Sequence, residues 1–391
     1  MNQIENLIKK HCPNGVGFKK LGEICEIKGR IGFRGYTRAD QVEKGNGAIS
    51  LSPTNIINGN VCFSNCTYIT WNKYYESPEI MVSENDIIFC KTASVGKTAI
   101  ITNLPEKATI NPQLVLIKNI FCNPKFLSYI LKTNFFQTQV YKIQGKGTIP
   151  TISQKDFSEI KIPVPPIEVQ NEIVKILDNF TKLEAELEAE LEARRRQYYY
   201  YRDKLLSFDT HTHTVKWVSL GEICEIKRGK RVTKDMLSDD YEFPVYHGGI
   251  QPLGFYNEFN REANGTMIIN VGASAGSIGF SKVKFWSSDG CFTLKSEKIE
   301  QKFLYYALSC KENFLKSKVR VAGIPTLDNK VVENLKIPFP NLEKQKEIVE
   351  ILDKFDSLVN DLQAGLPAEI NARRRQYEYY RDKLLSFDEI A

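Results

Sequence analysis

The chain has 391 residues, 42% hydrophobic and 26% charged, a length that suits two or three domains and a composition that excludes a long disordered tract. Its formal net charge of +6 permits an anionic partner without identifying one, and its nine irregularly spaced cysteines read as the reduced thiols of a cytoplasmic protein. No run approaches the ~18 apolar residues of a membrane span, and the N-terminus lacks the apolar core of a signal peptide, so no membrane contact is expected.

In chain order, LGEICEIK (Leu21–Lys28) is followed by short β-branched and aromatic runs between Gly, Asn and Pro turns: VCFSNCTYIT, DIIFCK, TAIIT and LVLIK. A helical stretch, KFLSYILKTNF (Lys125–Phe135), precedes GTIPTISQKDFSEIKIPVPP (Gly147–Pro166). From Ile167 the apolar residues adopt a 3.6 period through QNEIVKILDNF, LEAELEAELEA and RRRQYYYYRDKLLSFD. Ala, Leu and Glu favour helix, so one helix of roughly 60 Å is expected from about Ile167 to Ser207.

The chain then repeats itself. LGEICEIK recurs at Leu220–Lys227; TMIINVG, SIGFSKVKFW and CFTLK replace the earlier strands; KFLYYALSCKENF (Lys302–Phe314) replaces the helix. AGIPTLDNKVVENLKIPFPN, QKEIVEILDKF and RRRQYEYYRDKLLSFD follow, the last differing from its first copy only by Glu378 for Tyr199. The expected organisation is therefore α+β, with two similar mixed α/β domains at 1–165 and 210–340, each followed by a long helix, at 166–209 and 341–391. The helices are expected to pair antiparallel in a pseudo-twofold internal repeat. The second carries a longer insertion with Gly365 and Pro367, which predicts a break at 365–367.

Few motifs suggest catalysis. Gly96-Lys97-Thr98 echoes a phosphate loop but lacks the earlier glycine, Lys91 standing there instead, and aligning KTASVGKTAI with VGASAGSIGF favours a strand–turn–strand. Asn111-Pro112-Gln113-Leu114 misses the second proline and aromatic of a methyltransferase element, and Cys62/Cys66 lack further ligands for zinc. His211 and His213 read as linker residues. Basic residues cluster comparably after each LGEICEIK and before each IPT: Lys28, Arg30, Arg34, Arg38, Lys142 and Lys146 in the first copy; Lys227, Arg228, Lys230, Arg231, Lys234, Lys318 and Arg320 in the second, with Lys91 and Lys97 as further candidates in the first. Glycine-flanked basic loops suit phosphates and base edges, which makes these the candidate DNA contacts. Arg194, Tyr198, Tyr201 and Leu205, with Arg373, Tyr377, Tyr380 and Leu384, are the candidate docking residues for a protein partner and for helix pairing. Position 199/378 is expected to face solvent.

The duplicated plan, the LGEICEIK openings, the IPT…KIP(V/F)P signature and the QxEIVxILDxF and RRRQYxYYRDKLLSFD helices together resemble the specificity subunit of Type I restriction–modification systems, over nearly the whole chain. The resemblance implies a non-catalytic subunit whose two target recognition domains each read half of a bipartite, asymmetric site in double-stranded DNA, the helices setting the spacer. It implies two modification (methyltransferase) subunits as partners, with restriction subunits able to join. No cofactor is then expected in this chain: S-adenosylmethionine would belong to the modification subunit, ATP and Mg to the restriction subunit. A coiled-coil adaptor that binds no DNA is the alternative.

Overall fold

The computed structural model describes residues 2–145, 147–208, 215–361 and 363–389. The chain forms two compact units that cut across the sequence blocks: Met1–Glu186 with Asn371–Ala391, and Leu187–Ile370. The first unit is thus closed by the C-terminal segment, where Val16 N donates to Asp388 O at 2.9 Å.

Nine strands of the first unit have a counterpart in the second. In the first they are β1 (Phe18–Lys20), β2 (Glu26–Gly29), β3 (Gly47–Leu51), β4 (Thr67–Thr70), β5 (Ile87–Cys90), β6 (Thr98–Ile100), β7 (Ala108–Ile110), β8 (Leu114–Lys118) and β9 (Lys161–Pro163). In the second they are β10 (Lys216–Ser219), β11 (Glu225–Arg228), β12 (Phe243–Tyr246), β13 (Gly254–Tyr256), β14 (Gly265–Ile269), β15 (Ile278–Ser281), β16 (Trp286–Ser287), β17 (Cys291–Lys295) and β18 (Lys336–Phe339).

One four-stranded sheet runs β2-β8-β5-β6, matched by β11-β17-β14-β15. A second runs β7-β3-β4 with the edge strand Gln41–Val42, matched by β16-β12-β13, and the pairs β1-β9 and β10-β18 complete each unit. The first unit adds a small hairpin, Ile56–Ile57 with Asn60–Val61. Successive side chains of a strand point to opposite faces, and because both faces of β5 are covered its four residues IIFC are all apolar and buried. Ile87 and Phe89 face Phe126, Phe136 and Phe157, whereas Ile88 and Cys90 face Ile49, Leu51 and Leu116. In β14, Ile268 packs with Phe292 and Phe303, and Met267 and Ile269 with Tyr246 and Phe285.

Three long helices follow: α1 (Ile167–Leu206), α2 (Leu342–Asn360) and α3 (Leu366–Leu384). α1 is one 40-residue helix, as its sequence period predicts. The expected break is present. Gly365 is packed so closely onto the end of α2 that a Cβ would lie 2.4 Å from Ser357 O, and Pro367 falls in the first turn of α3, where its missing N–H is harmless.

The antiparallel pairing is present inside each unit, and in each it joins the two repeats. Phe180 of α1 stacks on Tyr380 of α3 (centroids 5.6 Å, 25°), and Glu184 meets Arg374. Phe355 of α2 stacks on Tyr201 of α1 with the same 5.6 Å and 25°. Each ILDxF segment therefore receives the RRRQY segment of the other copy.

Identical polar anchors seat each mixed domain on its helix. Gln170 Oε1 accepts from Asn123 N at 2.8 Å while its Nε2 donates to Pro165 O at 2.7 Å; Gln345 does the same with Glu300 N and Pro340 O, both at 2.8 Å. Tyr129 donates to Asp178, which also pairs with Lys125; Tyr306 donates to Asp353, which pairs with Lys302. Burial, reinforced by the neighbouring carboxylate, raises the pKa of both tyrosines. The Q and D of QxEIVxILDxF are thus anchors of the fold.

Candidate nucleic-acid interface

Strand register gathers several loops at one end of each unit. Gly29 pairs with Val115, and Cys90 with Leu114, so the ends of β2 and β5 lie beside the loop 111–113. In the second unit Arg228 pairs with Phe292 and Ile269 with Cys291, which places the corresponding ends beside 288–290. The IPT segments join them through bridges between Thr92 and Thr151 and between Val271 and Thr326.

The loops are pinned by equivalent backbone bonds. Lys91 N donates to Gln113 O and Ile152 N to Lys91 O, both at 2.9 Å; Asn270 N donates to Gly290 O at 3.1 Å and Leu327 N to Asn270 O at 2.8 Å. Ala93 N and Gly272 N donate to Pro150 O and Pro325 O, each at 2.9 Å. Asn111 N and Ser288 N donate to Leu51 O and Tyr246 O, at 2.8 and 3.0 Å. The structural counterpart of Lys91 is therefore Asn270, not Val271 as direct sequence alignment gives, because the second turn is one residue longer before its glycine. Gly96 and Gly276 occupy that shared turn with φ of +96° and +88°, values that a glycine adopts without strain. Gly96-Lys97-Thr98 is the expected strand–turn–strand, joining antiparallel β5 and β6.

The candidate basic residues divide into several environments. Arg38, Lys97 and Lys142 are exposed in the first unit, as are Lys230, Arg231, Lys234 and Lys318 in the second. Lys28 and Lys227 pair with Glu26 and Glu225 at 3.0 and 2.8 Å, and Arg34 lies 3.3 Å from Glu79. Arg228 Nε donates to Asp289 O at 2.8 Å, and exposed Arg320 is 3.7 Å from Asp328. Lys91 is half-buried, and desolvation lowers its pKa. Lys146, like His211 and His213, lies outside the described residues.

Arg30 departs from expectation. It is only 5% exposed, and its guanidinium donates to Ile110 O, Thr109 Oγ1 and Arg34 O, so it ties the strand ends together and is not presented to a ligand. Arg261 plays the same part in the second unit, donating to Thr293 Oγ1 at 2.6 Å, Asn260 O and Arg228 O.

The docking candidates also need correction. Tyr198 and Leu384 are 5% and 7% exposed and belong to the cores, because the stripe that carries them faces inward. Leu205 and Tyr377 pack against those cores, and Tyr201 and Tyr380 stack on the facing phenylalanines. Arg194 is held by Glu190 at 2.7 Å and by Gln197, and Arg373 donates to Gln376. Tyr199, Tyr200 and Tyr379 remain exposed, as does Tyr201 in part although it stacks on Phe355, and Tyr199 and Glu378 face solvent as expected.

The sequence reading missed Asn111 and Gln113, whose side chains bond at 3.1 Å. It also missed His247, whose Nδ1 lies 3.2 Å from both Ser288 Oγ and Asp289 Oδ1. Asn111 and Gln113 bond within one turn, whereas His247 meets Ser288 and Asp289 only through the fold. Among the described residues no group of His, Cys, Asp and Glu could hold a metal ion, and no helix is long and apolar enough to cross a membrane.

The Type I restriction modification DNA specificity domain model matches residues 13–193 and 213–372. The specificity subunit of the type I restriction enzyme EcoR124I/EcoR124II of Escherichia coli is 35% identical over 59% of this chain, an alignment spanning 64% of its own length. A putative type I specificity subunit of Mycoplasma pneumoniae is 34% identical over 63% of this chain and 93% of its own. Two solved structures share the fold: a Type I restriction-modification S subunit from M. genitalium (TM-score 0.58, 20% identity, 95% of this chain and 96% of that one), and a chain from a study of type I complex assembly (TM-score 0.59, 19% identity, 95% and 98%).

Proposed function

The chain belongs to the Type I restriction modification DNA specificity family, and from that premise we propose that each unit reads one half of a bipartite, asymmetric site in double-stranded DNA. The observation that carries this reading is the loop end. An equivalent backbone frame presents unlike side chains in the two units: Lys91 against Asn270, Asn111 against Ser288, Gln113 against Gly290. A frame that is kept while its side chains change suits two surfaces reading different sequences. The exposed lysines and arginines around it supply phosphate contacts and salt-dependent affinity.

In this reading the chain is a non-catalytic scaffold acting in the cytoplasm. The helices set the spacer between half-sites, and their exposed tyrosines dock two modification subunits that bring S-adenosylmethionine. Restriction subunits bring ATP and Mg and join that assembly. The test is footprinting of the chain co-expressed with its modification subunit. Protection of two short tracts separated by a fixed gap is expected. No protection at low salt by the assembled complex would overturn the reading in favour of an adaptor that binds no DNA.

A further inference from the structure

We propose that the tip of each IPT loop, Ile149 in the first unit and Ile324 in the second, is an apolar DNA contact that does not depend on base sequence, made once in each half-site. The proposal rests on the DNA-reading function above and adds to it a contact that both units share.

The two loops are built to one plan. Gly145 N donates to Thr151 O and Arg320 N to Thr326 O, both at 2.9 Å, so the two closures span the same length of chain. Ala93 N and Gly272 N hold the carbonyls of Pro150 and Pro325, and the bonds from Ile152 N to Lys91 O and from Leu327 N to Asn270 O root each loop beside the central strand β5 or β14. Proline fixes its own φ and keeps the residue before it extended. Each isoleucine is therefore carried on backbone that is ordered before any ligand arrives, which lowers the entropic cost of using it in a contact.

Both side chains face solvent, Ile149 at 60% exposed and Ile324 at 70%. The loops stand clear of their units: a Cβ on Gly323 would meet no described atom within 4 Å, and one on Gly147 only Ile149 O at 4.0 Å. A single exposed isoleucine carries little information, because folded proteins expose many apolar atoms. Here the same side chain stands at the same place twice, while the residues leading to it differ at every position: Gly145-Lys146-Gly147-Thr148 against Arg320-Val321-Ala322-Gly323. Burial does not account for an exposed side chain that is kept in this way; a shared external contact does.

The surrounding charge identifies that contact. Exposed Lys142 precedes the first loop, and exposed Lys318 and Arg320 open the second. Both loops root at the end where the candidate DNA contacts gather. Basic flanks favour a polyanion over the apolar groove of a protein. Half-sites of different sequence share only the deoxyribose and the faces of the bases, so these are the surfaces that a side chain kept in both units meets. Isoleucine and proline are among the side chains that make such contacts in a groove.

The test uses the chain assembled with its modification subunit, and compares wild type with Ile149→Ser, Ile324→Ser and the two Ile→Leu variants. Binding is measured to a duplex carrying the bipartite site found by methylation mapping of wild type, and to a scrambled duplex. Each serine variant is expected to weaken binding to both duplexes by a similar factor, about 10- to 150-fold if the side chain is fully buried on DNA. The methylated sequence, the melting temperature and the salt dependence should stay as in wild type, since no phosphate contact is lost, and leucine should retain most of the affinity. Unchanged affinity in either serine variant, a changed base preference, or a loss that accompanies a lower melting temperature would overturn the proposal while leaving bipartite reading intact. Failure of the serine variants to assemble would overturn it in favour of docking on the modification subunit. A wild-type complex that methylates no bipartite site would overturn the reading itself, and this proposal with it.

Discussion

At the helix end of each unit, Gln170, Asp178, Tyr129 and Lys125 repeat as Gln345, Asp353, Tyr306 and Lys302, bond for bond. At the loop end the backbone bonds repeat but, apart from the Ile-Pro-Thr tip, the side chains do not. Side chains that serve packing are kept where any change would strand a buried partner. Where backbone bonds hold the frame, the side chains carried on it are free to diverge, and even the arginines that brace it, Arg30 and Arg261, come from different segments. The comparison teaches that the repeat duplicates a mounting, and that the information carried differs.

The largest effect should come from the mounting. Gln170→Ala strands a backbone N–H and a carbonyl, Asn123 N and Pro165 O, and Gln345→Ala strands Glu300 N and Pro340 O. Each unsatisfied group costs about 1–3 kcal/mol, so both variants should lower the denaturant midpoint clearly and by similar amounts. Hydrogen exchange should place the weakening in the unit carrying the substitution; clearly unequal losses would break the equivalence. Phe180→Ala and Phe355→Ala remove matching half-buried stacked rings and should each cost about 1–3 kcal/mol, less than the 3–5 typical of a fully buried aromatic.

The helix pairing gives a functional counterpart. Deleting Leu183–Glu186 removes ~6 Å of α1 and takes away Glu184, the partner of Arg374. Methylation mapping should then show a shorter spacer between unchanged half-sites. Altered bases within either half-site would mean that helix and reading surface are not separable.

Much of this was legible in the sequence, for physical reasons. The 3.6 period fixed α1 to within a residue of its observed end, and Gly365–Pro367 located the break because proline and a close-packed glycine act locally. The domain boundaries were less legible. Blocks read along the chain place Arg373–Asp388 with the second copy, but Tyr380 stacks on Phe180 and closes the first unit. The loop end was the least legible. Basic residues could be counted, but only strand register shows that Arg30 is buried, that Asn270 and not Val271 answers to Lys91, and that His247 meets Asp289.

One pH-dependent effect is confined to the first unit. Lys132 Nζ donates to Gly59 O at 3.1 Å, pinning the turn of the added hairpin, and lies 5.9 Å from the Tyr129 ring. Burial, helped by the nearby Arg381, brings its pKa from the usual 10.5 down to about 8. Between those values the unfolded chain holds a proton that the folded chain has released, so this group makes stability rise with pH from about 8 to about 10.5. Below that window lysine is charged in both states, and the unfavourable burial of the charge is present in full. Lys132→Met should remove this slope. The difference between wild-type and variant unfolding free energies, measured from pH 7 to 11, should therefore shift in favour of wild type as pH rises. A difference that stays flat across the window would show that the ammonium remains solvated.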